Sequence, residues 1–178
     1  MKLAFILDPL EQLKAYKDSS IAMMRAAARR GHQVFAIQRE ALMWENGSVS
    51  ARSHALTLSD DDHAWYSSGP EQILPLTSFN AVLMRQDPPF DMAYITTTHM
   101  LERVHPKTLV VNDPAHVRNA PEKIFVMEFA DLMPPTLITR DLNEIKAFRA
   151  QHGDIVMKPL YGNGGAAVFR LTKDDLNF

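Results

Sequence analysis

The sequence predicts an α/β fold: a parallel sheet with covering helices over residues 1–119, then a smaller α+β piece over residues 120–178. Three observations predict it. Continuous apolar runs at 3–7, 34–37 and 81–84, with Thr108 to Val111 as a fourth, read as buried strands, the usual pattern of a parallel sheet. The first two runs flank a helical stretch, which makes a right-handed βαβ unit. Near Asn119 the pattern changes to helix, strand, helix and hairpin, and we place a boundary there.

The first run, Leu3-Ala4-Phe5-Ile6-Leu7, stops at Asp8-Pro9. Asp18-Ser19-Ser20 then offers a helix N-cap, the helix runs from Ile21 to Arg30, and Gly31 ends it. Val34 to Ile37 is the second strand. Asn46-Gly47 is a strong hairpin signal, with 49–52 and 55–58 as weaker strand candidates, so an antiparallel excursion is expected here. The run at 81–84 delivers Arg85-Gln86-Asp87-Pro88-Pro89-Phe90-Asp91 at its carboxyl end, where open α/β sheets bind their ligands. Arg85 has the planar fork that holds a carboxylate; the plainer reading pairs it with Asp87 or Asp91. Asp91 caps a helix to about Arg103, with Tyr94, Ile95, Thr98 and Leu101 at helical spacing, and 108–111 completes a four- or five-strand unit ending in Asn112-Asp113-Pro114.

In the second piece Pro121 opens a helix from its first turn, and Pro134-Pro135 breaks it. A short strand at 136–139 follows, then a helix from Asp141 to about His152, with Glu144 three residues after the cap. The last stretch carries the densest chemistry. An apolar run reaches Lys158, Pro159 breaks it, Gly162-Asn163-Gly164-Gly165 turns the chain, and 168–171 leads away as a second strand. Three glycines in four residues let successive amides point inward as an anion-binding nest, and Lys158 beside it adds a point charge. That combination suits a flap over phosphates; the plainer reading is a glycine-rich hairpin with a solvated lysine. It is neither a Walker loop nor a dinucleotide fingerprint, since the glycines follow the lysine and lead into a strand.

Composition narrows the classes. The net charge of −2, without long basic or acidic runs, implies neither nucleic acid nor an anionic membrane as partner. The absence of cysteine excludes disulfides, thiolate metal sites and a cysteine nucleophile. The N-terminal apolar run is too short for a signal peptide or a span, so a cytoplasmic location is expected. The seven histidines lack ligand spacing, and no metal site is expected among these residues. Asp60-Asp61-Asp62 reads as a solvated turn, and the methionines, Met23, Met24 and Met127 among them, read as core.

The chain resembles the N-terminal part of prokaryotic glutathione synthetase, in the ATP-grasp superfamily. The resemblance rests on Asp8-Pro9, Lys17-Asp18-Ser19-Ser20, Leu83-Met84-Arg85-x-Asp87-Pro88-Pro89-Phe90-Asp91, Val111-Asn112, Asn119-x-x-Glu122-Lys123, Thr136-Leu137-x-Thr139-Arg140 and Lys158-Pro159-Leu160-x-Gly162-x-Gly164-Gly165. It implies a Rossmann-like (pre-ATP-grasp) substrate-binding domain over 1–119 and the start of an ATP-grasp domain over 120–178. The implied activity is ATP-dependent ligation of γ-glutamylcysteine to glycine through an acyl phosphate, with ATP and Mg²⁺ as cofactors and a homo-oligomer as the assembly. By the resemblance Lys123, Lys158, Gly162, Asn163, Gly164 and Gly165 contact ATP; Ser19, Ser20 and Arg85 bind the peptide, with Arg85 also the catalytic candidate. Because the family continues beyond a position like Phe178 with residues that hold Mg²⁺, the expectation is an incomplete chain, inactive alone. Two other readings stand: another ATP-grasp carboxylate–amine ligase, or a non-catalytic peptide-binding or dimerisation module.

Overall fold

The computed structural model describes residues 1–178 except Pro88, Asn163, Lys173, Leu176, Asn177 and Phe178. The chain divides into two units, Met1–Asp87 with Asp91–Asn119, and Pro88–Phe90 with Ala120–Phe178.

In the first unit β1 (Lys2–Leu7) and β2 (Gln33–Gln38) run parallel, Leu3 opposite Val34 and Ile6 opposite Ile37, joined by α1 (Ser19–Arg29). The hairpin of β3 (Leu42–Glu45) and β4 (Ser48–Leu58) turns at Asn46-Gly47, both at positive φ (48° and 84°), the geometry a two-residue hairpin loop requires. β5 (Tyr66–Pro75) pairs antiparallel with β4, and β6 (Ala81–Met84) returns parallel to β1 on the side away from β2. After α2 (Met92–Glu102), β7 (Leu109–Val111) adds parallel to β6, and α3 (Pro114–Asn119) closes the unit. The sheet order is β3-β4-β2-β1-β6-β7, with β5 on β4.

β1 is the centre because neither of its faces meets water. Phe5 and Leu7 pack with Ile21, Met24 and Val34 on the α1 side; Ala4 and Ile6 pack with Phe35, Val82 and Leu101 on the α2 side. Burying each of the larger of these side chains contributes about 1.5–3 kcal/mol. The continuous apolar run, unlike an alternating one, signals this two-sided burial.

The sheet has seven strands, not four or five. β5 escapes sequence reading because Tyr66-Ser67-Ser68-Gly69-Pro70-Glu71 is polar and carries Gly and Pro; such a sequence is tolerated because β5 lies on one edge. The candidates at 49–52 and 55–58 form one strand with a register shift between His54 and Leu56. α3 was not expected, yet Asp113 accepts from the amides of Ala115 (2.9 Å) and His116 (3.1 Å) and caps it. The aspartates at 60–62 do more than sit in solvent: Asp62 and Asp60 pair with Arg25 and Arg29 of α1, each at 2.9 Å. Met24 is core as expected, but Met23 and Met127 are 40% and 55% exposed.

The second unit departs further from expectation. The helix expected from Pro121 is a turn followed by a 3₁₀ segment, Phe125–Leu132, kinked at Phe129 (φ −125°, ψ 37°). Its apolar residues Phe125, Met127, Phe129 and Leu132 are exposed, so no packed face favours the α form. Residues 136–139 form no strand; β-propensity alone provides no partner, and Leu137 and Ile138 stay partly exposed. α4 (Leu142–His152) begins as expected, Asp141 accepting from Asn143 N–H. β8 (Ile155–Met157) and β9 (Phe169–Leu171) pair antiparallel, Ile155 opposite Leu171, and bracket the glycine turn.

Candidate functional site

From β1 the chain first moves to one side, to β2, and then to the other, to β6. The carboxyl ends of β1 and β6 are therefore the topological switch point, where neighbouring connections diverge and leave a crevice. Three of the residues expected to bind substrate meet there. Arg85, just past β6, donates from Nε to Ser20 Oγ (3.1 Å) and from Nη2 to Ser19 Oγ (2.9 Å). The two serines open α1, and Ser20 is buried while Arg85 is exposed. Among the described residues Arg85 has no carboxylate partner. Asp91 instead caps α2 through Tyr94 N–H (2.8 Å) and faces Arg39 at 3.5 Å.

This geometry follows from local chemistry. Asp18 accepts from the amides of Ser20 (2.7 Å) and Ile21 (3.0 Å), fixing where α1 starts and so where both hydroxyls point. Asp8, at the end of β1, accepts from Asp87 N–H (3.0 Å) and ties down the loop that carries Arg85. Sequence reading gave Asp8 no role; an acid directly after the central strand is the signal that finds it. Burial pushes the Tyr94 phenol above its ordinary value, opposed by the nearby Arg85 and Arg39 guanidinium groups and reinforced by Asp87. A guanidinium held on two neutral hydroxyls keeps its full charge, so the pair orients the fork without neutralising it.

A cleft of about 520 Å³ opens beside this arrangement, and Ser19 is part of its wall. A second cleft of about 320 Å³ lies over the ends of β1 and β2, with Arg52, His54 and Glu71 in its wall.

The second unit holds the other candidates. Lys123 donates its ammonium to the carbonyl of Gly162, so one expected phosphate contact touches the glycine turn itself. Lys158 is exposed and, among the described residues, has no ion pair. Gly164 and Gly165 sit at φ +60° and +77°, with open space where a Cβ would project. At Gly162 a Cβ would meet Pro159 Cγ at 2.7 Å, so any side chain there forces the turn or the proline to shift. Asn163 lies outside the described residues. The positive-φ pair and the Lys123 ammonium at the turn have the chemistry of a phosphate cradle. Among the described residues no group of three or more His, Asp or Glu side chains is arranged to hold a metal ion, so the residues present do not by themselves fit Mg²⁺. No helix among them is long and apolar enough to cross a membrane.

Residues 1–118 match the family "Prokaryotic glutathione synthetase, N-terminal domain", and residues 122–178 match "Prokaryotic glutathione synthetase, ATP-grasp domain". The chain is 50% identical over 178 residues to a glutathione synthetase of Rhodopseudomonas palustris, covering 100% of this chain and 57% of the relative. It is 53% identical over 177 residues to one of Mesorhizobium japonicum, covering 99% and 56%. It thus spans a little over half the length of these curated relatives. The fold is also similar to D-alanyl-alanine synthetase A of Vibrio cholerae, with TM-score 0.55 and 14% identity over 96% of this chain and 52% of that one.

Proposed function

This chain belongs to the prokaryotic glutathione synthetase family, and on that footing we propose that it contributes to ATP-dependent joining of γ-glutamylcysteine to glycine. Residues 1–119 act as the peptide-binding domain and residues 120–178 as the first part of the ATP-grasp domain. The observation that carries the reading is the Arg85 fork, held by Ser19 and Ser20 at the switch point with no internal carboxylate among the described residues.

The chemistry asks for a carboxylate to be presented to a phosphoryl donor without neutralising the wrong charges. Arg85 binds and orients the cysteinyl carboxylate, and the serine hydroxyls hold the guanidinium plane in place. Lys123, Lys158 and the turn Gly162, Asn163, Gly164 and Gly165 bind the polyphosphate by ammonium charge and backbone amides. ATP, when bound, supplies the phosphoryl group that activates the carboxylate. For Lys123 the ligand oxygen replaces the Gly162 carbonyl as partner, which frees the turn to close. Mg²⁺ enters the reading through family membership alone. A homo-oligomer in the cytoplasm is the expected setting.

Calorimetry on the 178-residue chain tests this, with γ-glutamylcysteine and Mg·ATP titrated separately. The peptide is expected to bind, and Arg85→Ala is expected to weaken it at least tenfold while leaving any Mg·ATP heat unchanged. Equal loss of both ligands, or peptide binding unaffected by Arg85→Ala, overturns the assignment.

A further inference from the structure

We infer that Arg39 is a positioning residue for the Arg85 fork: through Asp91 it holds the far end of the loop that carries the fork. It does so from the α2 side of the sheet, as Ser19 and Ser20 hold the fork from the α1 side. The inference rests on the peptide-binding reading above and adds to it a residue that acts only through another.

Arg39 directly follows β2, and Asp91 directly precedes α2. β2 and β6 flank β1 from opposite sides, so a contact from the end of β2 to the loop after β6 spans the carboxyl end of β1. That contact joins Arg39 Nη1 to Asp91 Oδ1, 3.5 Å apart. The same oxygen accepts Tyr94 N–H (2.8 Å), so one carboxylate both starts α2 and meets the guanidinium.

The near end of the loop is fixed by backbone groups. Arg85 N–H donates to the Ile6 carbonyl (2.8 Å), and Asp87 N–H donates to Asp8 Oδ2 (3.0 Å). The far end is secured less by packing. α2 buries Thr97, Thr98 and Leu101, but none of its residues from Met92 to Thr96 is buried. The Arg39 pair acts at that end. Its guanidinium side chain is 14% exposed against 44% for Asp91, so the cation is the anchored partner and the acid the one restrained. Arg39 Nε also meets Glu40 (3.2 Å), its neighbour in the 3₁₀ turn Arg39–Ala41, a contact that never reaches the loop. The strap lies beside the fork: burial raises the Tyr94 phenol, and Arg85 and then Arg39 oppose that rise.

A single ion pair with one half-exposed partner is modest in strength, and its effect falls on order and not on the fold. Without Arg39, Asp91 still accepts Tyr94 N–H and α2 keeps its cap. The loop end regains freedom that a ligand must remove again on binding. The expected loss of peptide affinity is about three- to fivefold, or about 0.6–1 kcal/mol.

Calorimetry with γ-glutamylcysteine and urea unfolding, both on the 178-residue chain, test this. Arg39→Met and Asp91→Asn are each expected to weaken the peptide about three- to fivefold with a smaller loss of stability, since asparagine caps a helix as well as aspartate. The double variant is expected to bind no more weakly than the poorer single one, because both changes remove the same contact. Arg39→Lys is expected to bind within twofold of the native chain, since contact through one Nη1 asks for a charge and not a fork. Glu40→Gln, which leaves Asp91 its partner, is expected to do the same. Single variants that bind like the native chain, while Arg85→Ala still weakens the peptide tenfold, overturn the role of Arg39 and leave the Arg85 reading standing. So does a double variant whose loss is the product of the single losses, or Arg39→Lys binding no better than Arg39→Met. Absence of heat with the native chain overturns both.

Discussion

Ser20→Ala removes the acceptor for Arg85 Nε (3.1 Å) while leaving the capped backbone of α1 untouched, because Asp18 binds the Ser20 amide and not its side chain. A hydrogen bond to a charged group contributes about 1.5–3 kcal/mol when neither partner has an alternative. Arg85 is exposed, so water replaces the hydroxyl and the loss falls to about 1 kcal/mol. Alanine's better helix propensity offsets about 0.5 kcal/mol of that, which leaves global stability nearly unchanged. Affinity has no such offset. A guanidinium released from one of its two anchors must be ordered again on binding, which is expected to weaken γ-glutamylcysteine about five- to tenfold, or about 1–1.4 kcal/mol. Urea unfolding and calorimetry on the same preparations separate the two effects. Affinity within twofold of the native chain refutes the claim that Ser20 orients Arg85 for a ligand, and so does an affinity loss no larger than the stability loss.

Three further outcomes follow from the same geometry. Gly162→Ala forces a Cβ against Pro159 Cγ (2.7 Å), displaces the turn and breaks the Lys123 contact, costing about 1–3 kcal/mol; thermal unfolding should show a larger loss than for Gly164→Ala or Gly165→Ala, which face open space and bear only the left-handed backbone, about 1–2 kcal/mol each. Asp18→Ala leaves the amides of Ser20 and Ile21 without their acceptor and is expected to cost about 1 kcal/mol by urea unfolding, whereas Asp18→Asn keeps the cap and costs a few tenths. Asp113 has its carboxyl held below the ordinary value of 3.8, chiefly by the His116 amide; burial opposes this, and the Ala115 amide and the charges of His116 and His105 add lesser lowering contributions. A lowered folded-state value means this contribution is complete above about pH 4 and disappears as the pH falls through the lowered value. Stability profiles of the native chain and Asp113→Asn should therefore converge in acid, and parallel curves there contradict the assignment.

Local chemistry made much of this protein legible before any coordinates. The apolar runs placed β1, β2, β6 and β7, although β7 is buried on one face only, with Leu109 and Val111 exposed, and the caps at Asp18, Asp91 and Asp141 placed the starts of α1, α2 and α4, because both signals act within a few residues. Asn46-Gly47 located the hairpin for the same reason: positive φ at both positions is a demand on those two residues alone. Tertiary structure decided the rest. β5 exists because β4 offers it a ladder, while residues 136–139, with better strand-forming side chains, have no ladder and remain irregular. Phe125–Leu132 carries helix-forming residues yet winds as 3₁₀, its apolar side chains finding no face to cover. The site divides the same way. The sequence itself supplied an arginine after a strand, two serines after a cap and glycines after a lysine. That Arg85 and Ser20 meet across sixty-five positions of chain is the work of the parallel pairing of β1 with β6, since only that register brings the end of one strand beside the helix that follows the other.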